Sequence, residues 1–319
     1  MSTAQLEMEA PSPIVIEPII TPTAELFPHE PADRALFSSH FDHQPFQFRH
    51  GLDHHPAFQL SSLLAAAERL ASNPKTAGKS HFESGSPDRN AWFGARPEGQ
   101  TLVDALASIE SGKNWVILKR IHEDPTYRDV LADIIPHLSR LTGVDIPGTY
   151  YDPTMTIFVT SPGRITPYHM DGETNFLAQI HGTKHAYIYN GADHSVLSPA
   201  QLEQYWTGHL PKIDYPESLP HGHWQYLLAP GNGVFNPAIF PHWLQNGEQV
   251  SVSVSMNFKR RNNATIGAHR ANHYLRRFGL KPTPPGQSAS LDRAKEATFG
   301  RIYEAANTTA KELKTRLGK

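Results

Sequence analysis

Nine residues constrain this chain more than any others. Val250-Ser-Val-Ser-Val-Ser-Met-Asn-Phe258 alternates apolar and small polar side chains without a break. Successive side chains of a β-strand point to opposite faces, so the run reads as a strand with one apolar face and one face of Ser251, Ser253, Ser255 and Asn257. From residue 154 onward the hydrophobic period is two, and 154–161, 175–180, 185–189 and 233–236 also read as strands. Upstream the period is helical, predicting helices over 61–71, 101–111 and 127–141, with a short strand at 115–120. The third of these helices carries Val130, Leu131, Ile134, Ile135 and Leu138 as its stripe, and Pro136 inside it would kink it or end it early. Further helices are predicted at 199–206, inside a long connection, and at 269–278 and 290–317. Helices, a block of short strands, then helices again define a mainly β fold with helical flanks, an antiparallel barrel or sandwich.

The boundaries expected from this pattern are a flexible or extended N-terminal arm over 1–32 and a helical region over 33–145 packed on the barrel. A β core then occupies 146–260 with an insertion at 190–230, and a basic helical extension occupies 261–319. There are no cysteines, which excludes disulfide staples, thiolate metal sites and a cysteine nucleophile. With 19 histidines present, any metal chemistry must use imidazole and oxygen ligands. Five of these, His40, His43, His50, His54 and His55, crowd one stretch without a recognisable ligand spacing. The net charge of −2 is unevenly spread, because the chain from Lys259 onward is strongly basic and the rest acidic. That asymmetry fits a tail resting on an acidic surface of its own chain or of a second subunit better than it fits a nucleic acid, which is not an expected partner. Lys259-Arg-Arg261 reads as a solvated linker or as a basic patch for an acidic substrate. No signal peptide and no apolar run of membrane-spanning length is visible, so no membrane partner is expected and a cytoplasmic location is the default.

The chemistry concentrates in Thr166-Pro-Tyr-His169-Met-Asp171. Residues i and i+2 of a strand share a face, so His169 and Asp171 would present an imidazole and a carboxylate side by side. That is two thirds of the two-histidine, one-carboxylate set that holds non-haem iron(II). By itself the pair reads more readily as a hydrogen-bonded surface pair. A second histidine must come from elsewhere. Val234-Phe-Asn-Pro-Ala-Ile-Phe-Pro-His242-Trp243 places His242 just past a strand, in a proline-rich turn that could aim it inward or simply pack it on Trp243.

The stretch from Thr166 through His169 and Asp171 to Lys184 resembles the JmjC-type, cupin-like 2-oxoglutarate oxygenases of bacteria. Around the metal motif it is similar to the asparaginyl hydroxylase that acts on hypoxia-inducible factor. The phrase from Phe235 to Trp243 resembles the second-histidine turn of the same family. The resemblance covers residues 35–280 and implies a double-stranded β-helix of the cupin, or jelly-roll, type. It implies Fe(II) held by His169, Asp171 and His242, with 2-oxoglutarate as cosubstrate and O2 as oxidant. By the same resemblance Lys184 pairs with the distal carboxylate of 2-oxoglutarate and Thr166 hydrogen-bonds it. Asn175 and Asn257 stand near the metal-bound end. The sequence departs from the pattern at Pro241, where many relatives carry an aromatic before the histidine. Relatives dimerise through C-terminal helices, so a homodimer is expected. The implied activity is oxygenation, with hydroxylation as the expected outcome on a protein side chain, a peptide or a small molecule. Two readings stay open beside it: a metal-dependent cupin enzyme that does not use 2-oxoglutarate, and a non-catalytic binding or regulatory protein that kept the barrel. The alternative reading of Lys184 is a solvated strand-end lysine, and that of the serine face of 250–258 is a face that meets solvent instead of a polar ligand.

Overall fold

Period-two alternation builds a barrel in the computed structural model, which describes residues 14–19, 23, 25–76, 78–84, 96, 98–208, 213, 215, 223–261 and 264–300. The strands are β1 (Ile14–Ile16), β2 (Phe46–Arg49), β3 (His81–Ser84), β4 (Asn114–Leu118), β5 (Tyr150–Thr160) and β6 (Ile165–His169), followed by β7 (Thr174–His181), β8 (Lys184–Ile188), β9 (Trp224–Leu228), β10 (Asn232–Asn236), β11 (His242–Asn246) and β12 (Ser251–Arg260). One sheet runs β2-β10-β7-β12-β5-β4-β3 and the other β1-β9-β8-β11-β6. From β5 to β12 the chain changes sheet at every step except β8 to β9, which form a hairpin in the smaller sheet, and all these strands pair antiparallel, which is the winding of a double-stranded β-helix. β2, β3 and β4 widen the larger sheet, and β1 adds in parallel to the β9 edge of the smaller one.

The helices are α1 (Pro31–His40), α2 (Leu60–Ser72), α3 (Leu102–Ala107), α4 (Pro125–Thr142), α5 (Ile146–Thr149), α6 (Pro199–Trp206), α7 (Ala264–Arg277) and α8 (Ala289–Lys295). α4 starts on Asp124, whose carboxylate accepts from the Thr126 N–H, and stops at Gly143 in the left-handed region. Pro136 does not end it. The predicted helix at 290–317 is described only as far as residue 300, where α8 passes into a short π-helical turn, and its remainder lies outside the described residues.

Two apolar cores result. The larger joins the outer face of the seven-stranded sheet (Met155, Ile157, Phe176, Phe235, Val254, Met256) to α1, α2 and α4 through Phe37, Leu63, Leu70, Leu131, Ile134 and Leu138. Phe235 stacks on Phe46 at 5.0 Å and meets Phe176 at a tilt at 4.9 Å, across three adjacent strands of this sheet. The smaller core lies between the sheets and contains Leu177, Ala186, Ile188, Leu228, Val234 and Leu244. β12 is thus buried on both sides. Its valines face the helices, while Ser251, Ser253 and Ser255 are buried on the opposite face, toward the barrel interior. That settles which of the two readings of the serine face holds, because a strand covered on both sides leaves no face for solvent.

The N-terminal arm is extended and tied down where it is described. β1 pairs with β9, and Asn232 clamps the backbone of Ile19, accepting from its N–H (2.9 Å) and donating to its carbonyl (3.0 Å). Gly51 lets the chain pass close by, since a Cβ there would stand 2.5 Å from the Glu25 carbonyl oxygen. The chain divides into two compact units, Met1–Gly191 with Asp214–Arg260, and Ala192–Ile213 with Arg261–Lys319. The second brings α6 together with α7 and α8, and there Glu203, buried, accepts two hydrogen bonds from Arg276 Nε (2.9 and 2.8 Å). No helix among the described residues is long and apolar enough to cross a membrane.

Candidate metal and anion site

β6 and β11 lie side by side, and their register sets His169 opposite His242. Both rings turn into the barrel mouth with centroids 4.1 Å apart. Asp171, two residues past the end of β6, brings Oδ2 to 3.7 Å from His169 Nε2 and 3.8 Å from His242 Nε2. Among the described residues these three form the group of histidines and carboxylates able to hold a metal ion. The five histidines of 40–55 do not gather. His50, for example, is a fully buried core residue that donates from Nε2 to the Asn232 carbonyl and accepts the Leu52 N–H at Nδ1.

The donor chemistry fits a divalent transition metal. His169 Nδ1 lies 2.7 Å from the Pro167 carbonyl and His242 Nδ1 lies 2.9 Å from that of Phe240. A carbonyl only accepts, so each Nδ1 carries the proton and each Nε2 offers a lone pair on the Asp171 side. Burial, then the neighbouring His169, lowers the His242 pKa to about 4, which keeps its imidazole neutral. Asp171 is half-exposed while both histidines are largely buried, so the cluster has a protein side and an open side.

The turn that delivers His242 is held from two directions. Ile239, at φ +69°, donates its N–H to the Asp171 carbonyl (2.6 Å), tying the second-histidine turn to the first motif. A Cβ at Gly191 would sit 2.1 Å from the Ile239 carbonyl oxygen, so that position requires glycine for the turn to close. Asn236 on β10 donates to the Phe240 carbonyl that also receives His242 Nδ1–H. Sequence reading missed Asn236 and Ile239. The asparagine could have been found from its place six residues before His242 at a strand end. The strained isoleucine has no sequence signature.

Thr166, Asn175, Lys184 and Ser255 line the same cavity as the three candidate ligands. Lys184 is 3% exposed, and no carboxylate among the described residues lies within ion-pair distance of it. Its ammonium donates to Ser253 Oγ at 2.7 Å, and burial lowers its pKa to about 7. It is therefore not a solvated strand-end lysine. Asn175 donates to Ser255 Oγ and Asn257 Oδ1, each at 2.6 Å. Asn257 thus touches two cavity-lining residues without lining the cavity itself. Lys259 and Arg260, read as a linker or a basic patch, pair with acids of their own chain: Lys259 with Asp152 and Glu173, Arg260 with Asp42.

Fold and site together define a double-stranded β-helix with a two-histidine, one-carboxylate cluster at its mouth and a buried cation deeper in the same cavity. No family model matches the chain, and no curated protein matches it. Among solved structures it is similar to the Escherichia coli ribosomal oxygenase YcfD, at 13% identity over 86% of this chain and 67% of that one, with a TM-score of 0.45. It is similar also to YcfD in complex with cobalt and 2-oxoglutarate, at 14% identity over 82% of this chain and 64% of that one, with a TM-score of 0.42. The chain thus spans about two thirds of the length of those proteins.

Proposed function

We propose that this protein is an Fe(II)- and 2-oxoglutarate-dependent oxygenase that hydroxylates a protein side chain, a peptide or a small molecule. The observation that carries the reading is the presence, in one cavity, of an open-sided His169-Asp171-His242 cluster and a buried Lys184 with no carboxylate partner among the described residues. A buried ammonium is stable only when an anion or a set of dipoles answers it, so the cavity suits a ligand with a negative end at Lys184 and metal-binding oxygens at the other. 2-Oxoglutarate has both. Iron(II) bound at the cluster would supply the open coordination positions at which the keto acid and O2 meet and 2-oxoglutarate is oxidatively decarboxylated.

The protein's own residues set the geometry. His169 and His242 offer Nε2 because the Pro167 and Phe240 carbonyls hold the Nδ1 protons. Lys184 and the Thr166 hydroxyl receive the distal carboxylate, while Asn175 lines the cavity and Asn257 supports it from behind by accepting from the Asn175 amide. Apolar Leu177, Ile188, Val234 and Leu244 keep bulk water from the space between. The catalytic part of the chain is the barrel over 146–260. We place the homodimer on the C-terminal unit, supported by Phe278 (82% exposed) and the exposed Leu280 and Leu291.

Anaerobic titration with Fe(II) and 2-oxoglutarate, followed by the visible metal-to-ligand charge-transfer band, tests the reading. The band is expected only with both additions and is expected to vanish in His242→Ala. Lys184→Ala should need roughly 10–100-fold more 2-oxoglutarate, the loss of one charge-assisted contact. Tight metal binding with no band in the wild type would move the protein to the metal-dependent cupins that do not use 2-oxoglutarate.

A further inference from the structure

Lysine is a poor ruler. Its four-carbon stem is flexible and its three N–H donors rotate, so a lone lysine follows a carboxylate over some range of positions. Lys184 is not alone. Its Nζ donates to Ser253 Oγ (2.7 Å), and the Ser253 hydroxyl donates to Gln179 Oε1 (2.7 Å). Gln179 Nε2 donates to the His181 carbonyl (2.7 Å), the Gly182 carbonyl (3.2 Å) and Ser251 Oγ (2.9 Å). Gln179 and Ser253 are fully buried and Lys184 nearly so.

The polarity of this chain is forced from one end. Two backbone carbonyls can only accept, so the NH2 end of the Gln179 amide must face them and its oxygen must face Ser253. Ser253 must then give its single proton to Gln179, and only its lone pairs are left for Lys184. The carbonyls belong to the last residue of β7 and to the turn after it, which packs closely: Gly182 has φ +66° and a Cβ there would meet the Val250 carbonyl oxygen at 2.3 Å. One N–H of Lys184 is therefore anchored to a closely packed turn through two buried side chains, and two remain for a ligand. Along β8, Lys184 pairs with Asn246 while Ile188 pairs with His242, so the anchored lysine and the metal-ligand level lie four residues, about 13 Å, apart along the strand.

We propose that Gln179 and Ser253 are positioning residues that hold the Lys184 ammonium at a set distance from the metal cluster, and that this relay makes the site selective for the chain length of its 2-oxo dicarboxylate. The inference rests on the oxygenase reading and goes beyond it, because it assigns length selectivity to two residues that do not contact the metal. Without the relay, Lys184 keeps its charge but can follow shorter or longer diacids.

Calorimetric titration of the Mn(II)-loaded protein with oxaloacetate, 2-oxoglutarate and 2-oxoadipate separates the possibilities. In the wild type the five-carbon acid is expected to bind best. Ser253→Ala should weaken 2-oxoglutarate binding about tenfold, the value of one buried hydrogen bond to a charge, and shrink its preference over the four- and six-carbon acids by a similar factor. Ser253→Thr, which keeps the hydroxyl, should restore both. Gln179→Met, which removes the acceptor that orients Ser253, should reproduce the loss of preference if Ser253→Ala folds poorly. Mn(II) affinity measured without diacid should be the same in every variant, which separates a positioning effect from general loosening of the barrel. A wild type with clear length preference that survives in both Ser253→Ala and Gln179→Met overturns the inference and leaves the oxygenase reading standing. A wild type that binds none of the three acids, and behaves like Lys184→Ala, overturns both.

Discussion

A buried lysine without a carboxylate beside it is held at a cost in stability, and Lys184 carries that cost in the ligand-free barrel. Burial brings its pKa from the ordinary lysine range down to about 7. A dianion bound against it favours the charged form and raises the value again. The sign of the pH effect follows. Below about 7 the ammonium is already formed and diacid affinity is flat. Above that, up to the pKa of the complex, each binding event must take up a proton, so affinity should fall by as much as about tenfold per pH unit. Titration of the metal-loaded protein between pH 6 and 9 should show this fall, and Lys184→Arg, which stays charged throughout, should flatten it. A wild-type affinity unchanged from pH 7 to 9 would remove the ammonium from the recognition of the diacid. The residues of this site were legible in unequal measure. His169, Asp171, His242 and Lys184 announce themselves by type and spacing. Gln179 does not, because a glutamine in a strand becomes informative only when its partners are known, and those lie on the β7–β8 turn and on β12, 72 and 74 residues away in the case of Ser251 and Ser253.

At the scale of elements, the strands that alternate strictly were readable and the others were not. β12 and β7 follow their predicted spans within a few residues, and α6 falls on 199–206 as predicted. β9 and β11 went unpredicted as strands, and β6, read as a strand carrying both His169 and Asp171, ends at His169. Each is five residues long, β6 is interrupted by Pro167, and β9 reads Trp-Gln-Tyr-Leu-Leu with no clean period. His242, expected just past a strand, opens β11 instead, since the Pro241 turn ends where pairing with β8 and β6 begins. α1 was missed because its apolar positions are few, although Pro31 at its first turn marks the start. β1 is the element that depends most on a single side chain. Asn232→Ala removes both hydrogen bonds to Ile19, and two backbone groups must then find water. We expect a loss of about 2 kcal/mol and selective exposure of the arm. Hydrogen exchange and limited proteolysis should show residues 14–19 opening while β5, β7 and β12 stay protected. Uniform loss of protection across the barrel would count against a local role for the clamp.

At the scale of the whole molecule, part of the basic excess from Lys259 onward is answered inside each unit. Lys259 and Arg260 meet Asp152 and Asp42 in the first, and Arg276 meets Glu203 in the second. Glu203 is 1% exposed, so removing its partner leaves a buried carboxylate unanswered. Arg276→Met should destabilise the α6–α7–α8 unit by about 2–3 kcal/mol, discounted because the arginine is itself part-exposed, and Glu203→Leu with Arg276→Met should recover much of it. Hydrogen exchange resolved by segment, with Fe(II) affinity as the control for the barrel, checks this. Equal loss of metal affinity in the single variant would mean that the effect is not confined to that unit. Residue type and spacing were enough to read the available chemistry and the local periods: which residues can ligate a metal, which stretch must be strand, where helices flank the barrel. It took the folded chain to show which face of β12 turns inward, that Lys184 is buried without a carboxylate in reach among the described residues, that the arm pairs with β9, and that residues 192–213 join the C-terminal helices. The physical reason is the same in each case. Period and residue type act over a few neighbouring positions, whereas burial, strand partner and hydrogen-bond polarity are set by groups tens to hundreds of residues apart that meet only when the two sheets close.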